Sequence, residues 1–365
     1  MNGPVRPPAA GRHSTDPTEG AAPYPWLLAD IGGTNARFAW VEDAGSGITE
    51  PQTLPVAAQE GPLAAARAYL AQLAQSRGAS YRAPRSAAWA VATAIVGDEV
   101  TLTNAGWRFS RQALARELGL AAFVLLNDFE ALALSLPLLA AAQLQPVGAD
   151  AKQAAVPRAV RAVIGPGTGL GVAGLAACTS PLAEDAAEPQ WLAIPGEGGH
   201  ATLAAADDLE AALLAAARRQ HDHVSAERLL SGIGLPDLHR AVLEVRHGAA
   251  TVARRTEDIV AAGLASPGAP EADPACRETL EHFCALLGGF AGNVALTLGA
   301  RGGVYLGGGI LPRLGPMFHG SRFRERFEAK GRFTDYLRTI PTWLIVDTRA
   351  ALSGTAMALT QLRRG

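Results

Sequence analysis

With 365 residues, 48% hydrophobic and 18% charged, the chain has apolar surface for two cores and too little charge for a disordered polypeptide. A net charge of -2 with scattered arginines leaves no basic stripe for nucleic acid, so small molecules are the expected partners. Gly, Pro or a charge interrupts every apolar run before it reaches ~18 residues, which speaks against a membrane span.

In chain order, residues 1–25 are rich in Pro, Gly and Ala, lack the apolar run of a signal peptide and read as a disordered tail. The run Trp26–Ile31 ends in Gly32-Gly33-Thr34-Asn35 and is followed by a second run over 38–41, a pattern of strand, tight turn, strand. A strand follows over 87–92, and another over 122–126 ends in Asn127-Asp128. Phe129, Leu132, Ala133 and Leu136 then keep helical spacing. Residues 142–158 are loop-like. The first device then recurs: a run over 159–164, the turn Gly165-Pro166-Gly167-Thr168-Gly169 and a strand over 170–175. A second loop-like stretch covers 266–274, and Leu280, Phe283, Cys284, Leu287, Ala291 and Val294 predict a long core-facing helix. Strands over 303–306, before Gly307-Gly308-Gly309, and over 343–346 complete an α/β pattern. Two matched glycine-threonine hairpins predict an internally duplicated architecture, with the turns facing each other across a cleft. Cys178, Cys276 and Cys284 form no CxxC or zinc spacing and read as reduced thiols of a cytoplasmic protein.

The two lysines, Lys152 and Lys330, follow no GxxxxG run, so phosphate cannot be held by a P-loop. Gly32, Gly33, Thr34 and Asn35, with Gly165, Gly167, Thr168 and Gly169, offer backbone N–H groups and hydroxyls instead. Gly308 and Gly309 would let a helix start beside a bound adenosine. Asp30 is placed to hold Mg²⁺ through water. The competing reading of each turn is an ordinary hairpin. Two GxGxxG-like runs, at 169–174 and 196–201, lack the strand-to-helix setting of a dinucleotide fold. Asp128, at a strand's C-terminal end, is either a helix N-cap or the base that takes a proton from an attacking hydroxyl, with Asn127 beside it. Glu197 and His200, framed by glycines, suit the vicinal hydroxyls of a sugar, against the alternative of a solvent loop. Glu227 has the competing role of compensating a helix dipole.

Taken together, Asp30-Ile31-Gly32-Gly33-Thr34-Asn35-Ala36-Arg37, Asn127-Asp128-Phe129, Gly165-Pro166-Gly167-Thr168-Gly169-Leu170-Gly171, Pro195-Gly196-Glu197-Gly198-Gly199-His200 and Ser225-Ala226-Glu227-Arg228 resemble, in order, the bacterial glucokinase family. The likeness runs from about residue 26 to the C-terminus and includes Thr103-Asn104. It implies a two-domain actin-like ATPase (ribonuclease H-like) fold with an interdomain cleft. A small α/β domain would span 26–138, completed by 347–365, and a large one 139–346, in a homodimer. It further implies transfer of the γ-phosphoryl group of MgATP to the 6-hydroxyl of glucose, the first step of glycolysis. Asp128 would be the base, with Asn104, Asn127, Glu197, His200 and Glu227 on glucose. The alternatives are a kinase of another hexose or amino sugar and a non-catalytic sugar-sensing regulator. The chain departs from the family at Ala92-Thr93-Ala94-Ile95, where a proline-containing turn is usual, and at Ile233, where proline is common. Residues 1–25 and 176–189 fall outside the likeness.

Overall fold

The computed structural model describes residues 22–102, 105–148, 155–178, 189–248 and 253–362. Strands β1 (Trp26–Ile31) and β2 (Asn35–Val41) form the first expected hairpin, in register from Trp26 opposite Val41 to Ile31 opposite Ala36. Gly32 N–H closes the turn on the Asn35 carbonyl at 2.9 Å. β3 (Thr49–Pro55) pairs antiparallel with β2, and β4 (Ser86–Val91) lies parallel to β1. All six residues of β4 are buried, as a central parallel strand covered on both faces requires. After a small hairpin of β5 (Glu99–Leu102) and β6 (Trp107–Ser110), β7 (Ala122–Asn127) pairs parallel to β4. The sheet order is β3-β2-β1-β4-β7.

The second sheet is built from β8 (Leu144–Pro146), β9 (Arg161–Pro166), β10 (Leu170–Cys178), β11 (Gln190–Ile194), β12 (Val304–Leu306) and β13 (Thr342–Ile345), in the order β11-β10-β9-β12-β13-β8. β9 and β10 form the second expected hairpin, β10 pairs antiparallel with β11, and β12 and β13 follow β9 in parallel. Apart from β8, the second sheet repeats the first strand for strand in order and sense. The result is an α/β fold of mixed sheets with flanking helices.

Three helices stand out in the packing of the two sheets. Asp128–Ser135 starts where β7 ends. Pro274–Leu298 has Pro at its first turn and Asp273 as cap, whose Oδ1 accepts Ala275 and Cys276 N–H at 2.9 and 3.3 Å. Ala350–Gln361 returns to the first sheet and crosses Asp128–Ser135 so closely that a Cβ at Gly354 would lie 1.7 Å from the Ala131 carbonyl oxygen. Ala133, Leu134 and Leu136 share a core cluster with Val163, Leu175, Tyr305 and Ala350. The helix after Asp128 is thereby packed on the second sheet as well as on the C-terminal helix.

Two boundaries differ from expectation. Residues 22–25 are docked rather than part of a free tail: the Ala22 carbonyl accepts Trp26 Nε1–H at 3.0 Å, Ser86 Oγ–H donates to the Pro23 carbonyl at 2.7 Å, and the Tyr24 ring stacks on Trp26 at 4.2 Å. The composition hid this because backbone carbonyls, not side chains, make most of the bonds. Within the stretch read as loop, β8 pairs antiparallel with β13, Leu144 opposite Ile345. Three residues with a Gln and a Pro carry no period. Residues 1–21, 103–104 and 179–188 lie outside the described residues, and with them Asn104. Among the described residues, no helix is long and apolar enough to cross a membrane.

Candidate active site

A cavity of about 610 Å³ is walled by the first sheet's Gly32, Gly33, Thr34 and Asn127–Asp128 and by the second's Gly165, Gly167, Thr168 and Gly169. Gly308, Glu197, His200 and Glu227 complete it. Both turn threonines, Thr34 and Thr168, are exposed. Thirteen of the residues singled out from sequence therefore share one wall. A second cavity, about 640 Å³, is lined by Arg277, Glu281, Arg313 and Met317 among others and holds none of the motifs.

The Asn-Asp pair divides its labour. Asn127 is the N-cap: its Oδ1 accepts Phe129 N–H at 2.9 Å, and Glu130 Oε2 accepts Asn127 N–H at 2.8 Å, a capping box. Asn127 Nδ2 donates to the Thr93 carbonyl at 3.2 Å. With the cap filled, Asp128 is left for the cavity. Burial, and secondarily the Asp30 charge, push its carboxyl up to about 7, against a hydrogen bond from Phe129 N–H at 3.1 Å. The side chain still meets the open cavity, so water moderates that shift.

Phe129 explains two glycines of the second turn motif, one of which, Gly165, the sequence assigned to phosphate. A Cβ at Gly171 would sit 1.9 Å from the Phe129 ring, and one at Gly165 2.5 Å from it. These glycines make room for the ring that docks the Asp128 helix against β9 and β10.

On the opposite side, His200 stands between two carboxylates, Nδ1 at 3.5 Å from Glu197 Oε2 and Nε2 at 3.6 Å from Glu227 Oε1. Those separations are long for hydrogen bonds and leave all three groups capacity for a ligand's hydroxyls. Glu197 and His200 are 64% and 62% exposed, whereas Glu227 is 22% exposed and anchored, its Oε2 accepting Leu170 N–H at 2.8 Å. Its backbone N–H is held by the Gly199 carbonyl at 2.8 Å. Residues 225–230 form a turn and not the helix start expected there, so dipole compensation is not its role.

Asp30, Asn35 and Gly309 are not on the wall. Asp30 is paired with Arg37 at 3.0 Å, and its carboxyl is raised by burial despite that partner. Gly309 caps the short helix Ile310–Leu314, the helix start expected after the triple glycine. Sequence reasoning missed Thr93, Phe129 and Leu170, which line the cavity. Thr93 and Leu170 act through backbone atoms that carry no residue-type signal, and Phe129 was read as core. No group of three or more His, Cys, Asp or Glu side chains able to hold a metal occurs among the described residues. The acidic pair Asp30 and Asp128 fits an ion that keeps its waters and takes phosphate oxygens, as Mg²⁺ does, because a cation there would relieve their mutual repulsion.

A sequence model of the glucokinase family matches residues 27–362. The chain belongs to the glucokinase family. Among its relatives it is 46% identical to a glucokinase of Aromatoleum aromaticum over 96% of this chain and 98% of the other. It is 47% identical to that of Chromobacterium violaceum over 92% and 89%. The crystal structure of a glucokinase from an Antarctic psychrotroph superposes with a TM-score of 0.79 at 36% identity, covering 92% of this chain and 99% of that one. The family's architecture thus accompanies the motifs across nearly the whole chain.

Proposed function

We propose that the chain is an ATP-dependent glucokinase, transferring the γ-phosphoryl group of MgATP to the 6-hydroxyl of glucose to give glucose 6-phosphate and ADP. The observation that carries this reading is the Asp128 carboxyl, raised to about 7 and facing a cavity with two glycine-threonine turns on one side and Glu197, His200 and Glu227 on the other. Glucose is read onto Glu197, His200, Glu227 and Asn127, with Asn104 carried by the family likeness alone. The nucleotide is read onto the turns and Gly308. Asp128 accepts the proton of the 6-hydroxyl as that oxygen forms its bond to the γ-phosphorus. The bond to the β-γ bridging oxygen breaks, and ADP leaves with the electron pair. Mg²⁺, held through water by Asp30 and by the phosphates, would neutralise the charge on the transferring group. With no P-loop lysine, Thr34, Thr168 and the turn N–H groups supply the remaining donors.

The same reading takes 26–138 with 347–365 as a small domain and 139–346 as a large one, a duplicated actin-like pair closing on a cleft between the sheets. The matched strand orders support it. A cytoplasmic homodimer belongs to the same proposal. ADP release with MgATP, measured over glucose, mannose, fructose and N-acetylglucosamine, tests the activity: turnover highest with glucose is expected. Asp128→Asn should lower kcat about 100- to 10,000-fold while leaving glucose affinity within about tenfold. Near-normal turnover of that variant would remove Asp128 as the base.

A further inference from the structure

The second cavity, about 640 Å³, has the size of a small-molecule site, but its chemistry differs from that of the first. Three arginines, Arg277, Arg313 and Arg322, line it against one carboxylate, Glu281. Arg322 is already engaged: its Nε and Nη2 donate to the two carboxylate oxygens of Glu325 at 3.1 and 2.8 Å. Arg277 reaches Glu281 at 3.4 Å, with the two side chains 47% and 56% exposed, and a pair so wet contributes little. Arg313 has no hydrogen-bond or ion-pair partner among the described residues. Two guanidinium groups on one wall therefore keep donors open to a ligand.

Both arginines are held by the fold. Arg313 belongs to the helix Ile310–Leu314, whose Ile310, Leu311 and Leu314 are buried in the core, so the helix cannot turn to carry the arginine away. Arg277 lies at the start of Pro274–Leu298, where its N–H donates to the carbonyl of the cap Asp273 at 3.1 Å. Leu264, Leu314 and Met317, which pack on the same core, give the cavity an apolar lining. A carbon skeleton can lie there while the guanidinium groups hold an anion. Glu281 is the single acid on the wall and is paired with Arg277, so no unpaired base is at hand. Such a cavity is equipped for binding and not for chemistry.

We infer that this cavity is a second ligand site, for a small organic phosphate monoester, with the phosphate on Arg277 and Arg313 and the carbon skeleton on the apolar lining. A guanidinium fork matches phosphate oxygens in pairs, and a monoester carries about -1.5 to -2 charges at pH 7, enough to meet two arginines. The phosphate would replace the loose contact from Glu281 with a closer one. The two cavities have no lining residue in common, so this site goes beyond the kinase reading and stands apart from it.

Calorimetry on the full chain, with ribose 5-phosphate as the probe, tests this. Glucose and a non-hydrolysable ATP analogue with Mg²⁺ would be present at saturation to fill the first cavity. One probe molecule per chain is expected, with a Kd on the order of 0.1–1 mM. Inorganic phosphate, which lacks the carbon skeleton, and succinate, which lacks the phosphate, should each bind at least about fivefold more weakly. Arg277→Ala and Arg313→Ala should each weaken the probe about tenfold or more. Arg313→Lys should cost less, since it keeps the charge and loses the fork. Arg322→Ala should change the Kd less than about twofold, because that fork is held by Glu325. Four results would overturn the inference: no binding at about 10 mM probe, binding only while the first cavity is empty, phosphate or succinate bound as tightly as the probe, or an unchanged Kd in both alanine variants. A wrong kinase reading would show differently, as absent ADP release with every sugar, and would leave the effects of Arg277→Ala and Arg313→Ala in place.

Discussion

If Asp128 is the base proposed above, catalysis and folding pull it in opposite directions. As a base it must be ionised, yet burial and Asp30 raise its carboxyl from 3.8 to about 7. The folded state therefore holds a proton that the unfolded state releases between those values, and stability is lost as pH rises through that window. Asp128→Asn should accordingly raise the melting temperature at pH 8 by a few degrees, on the order of 2 kcal/mol after discounting for cavity water, while lowering turnover as predicted above. A variant no more stable than the parent at pH 8 would contradict the strained-base picture. The same shift predicts that kcat/KM rises with pH to an inflection at about 7, or below it where a cation bound beside the carboxyl would lower it. A flat profile across that range of pH would exclude Asp128 as the titrating group. At this scale the sequence was readable where chemistry belongs to a residue type: Asp128, Glu197, His200 and the turn threonines all reach the cavity. It was unreadable where the chemistry belongs to the main chain, as with the Thr93 carbonyl and the Leu170 N–H, because every residue carries those groups.

Among the elements, the crossing of Ala350–Gln361 over Asp128–Ser135 is the most sterically exacting. Gly354→Ala would drive a methyl into the Ala131 carbonyl and should cost ~1–3 kcal/mol. Gly289, inside the helix Pro274–Leu298, has open space where a methyl would go, so Gly289→Ala should instead stabilise by ~0.5–1 kcal/mol. Thermal unfolding of the two variants checks the contrast, and equal shifts would mean the crossing relaxes freely. The hairpins β1–β2 and β9–β10 and the long helix were legible because alternation, turn glycines and the 3.6-residue period are local signals. β8 was not, since its three residues become a strand only by pairing with β13, which is supplied much later in the chain. Docking of residues 22–25 escaped because their own contribution is backbone carbonyls, one of which finds its partner only at Ser86.

For the whole molecule, the repeated strand order sets one glycine-threonine turn in each sheet, and both turns line one cavity. If the sheets close on the ligands, saturating glucose should reduce the radius of gyration measured by small-angle scattering. Superimposable curves with and without glucose would argue for a site that works without closure. The joint for such a motion would be the helix Asp128–Ser135, which belongs to the first sheet by connection and shares its core with the second. Its cover, Ala350–Gln361, has a consequence for the timing of synthesis. At about 5–20 residues per second, roughly 10–40 s pass between translation of the two helices. During that interval the nascent chain carries Asp128 on a helix whose C-terminal cover does not yet exist. The helix that carries the proposed base therefore gains its full cover only when almost the last of the described residues has left the ribosome.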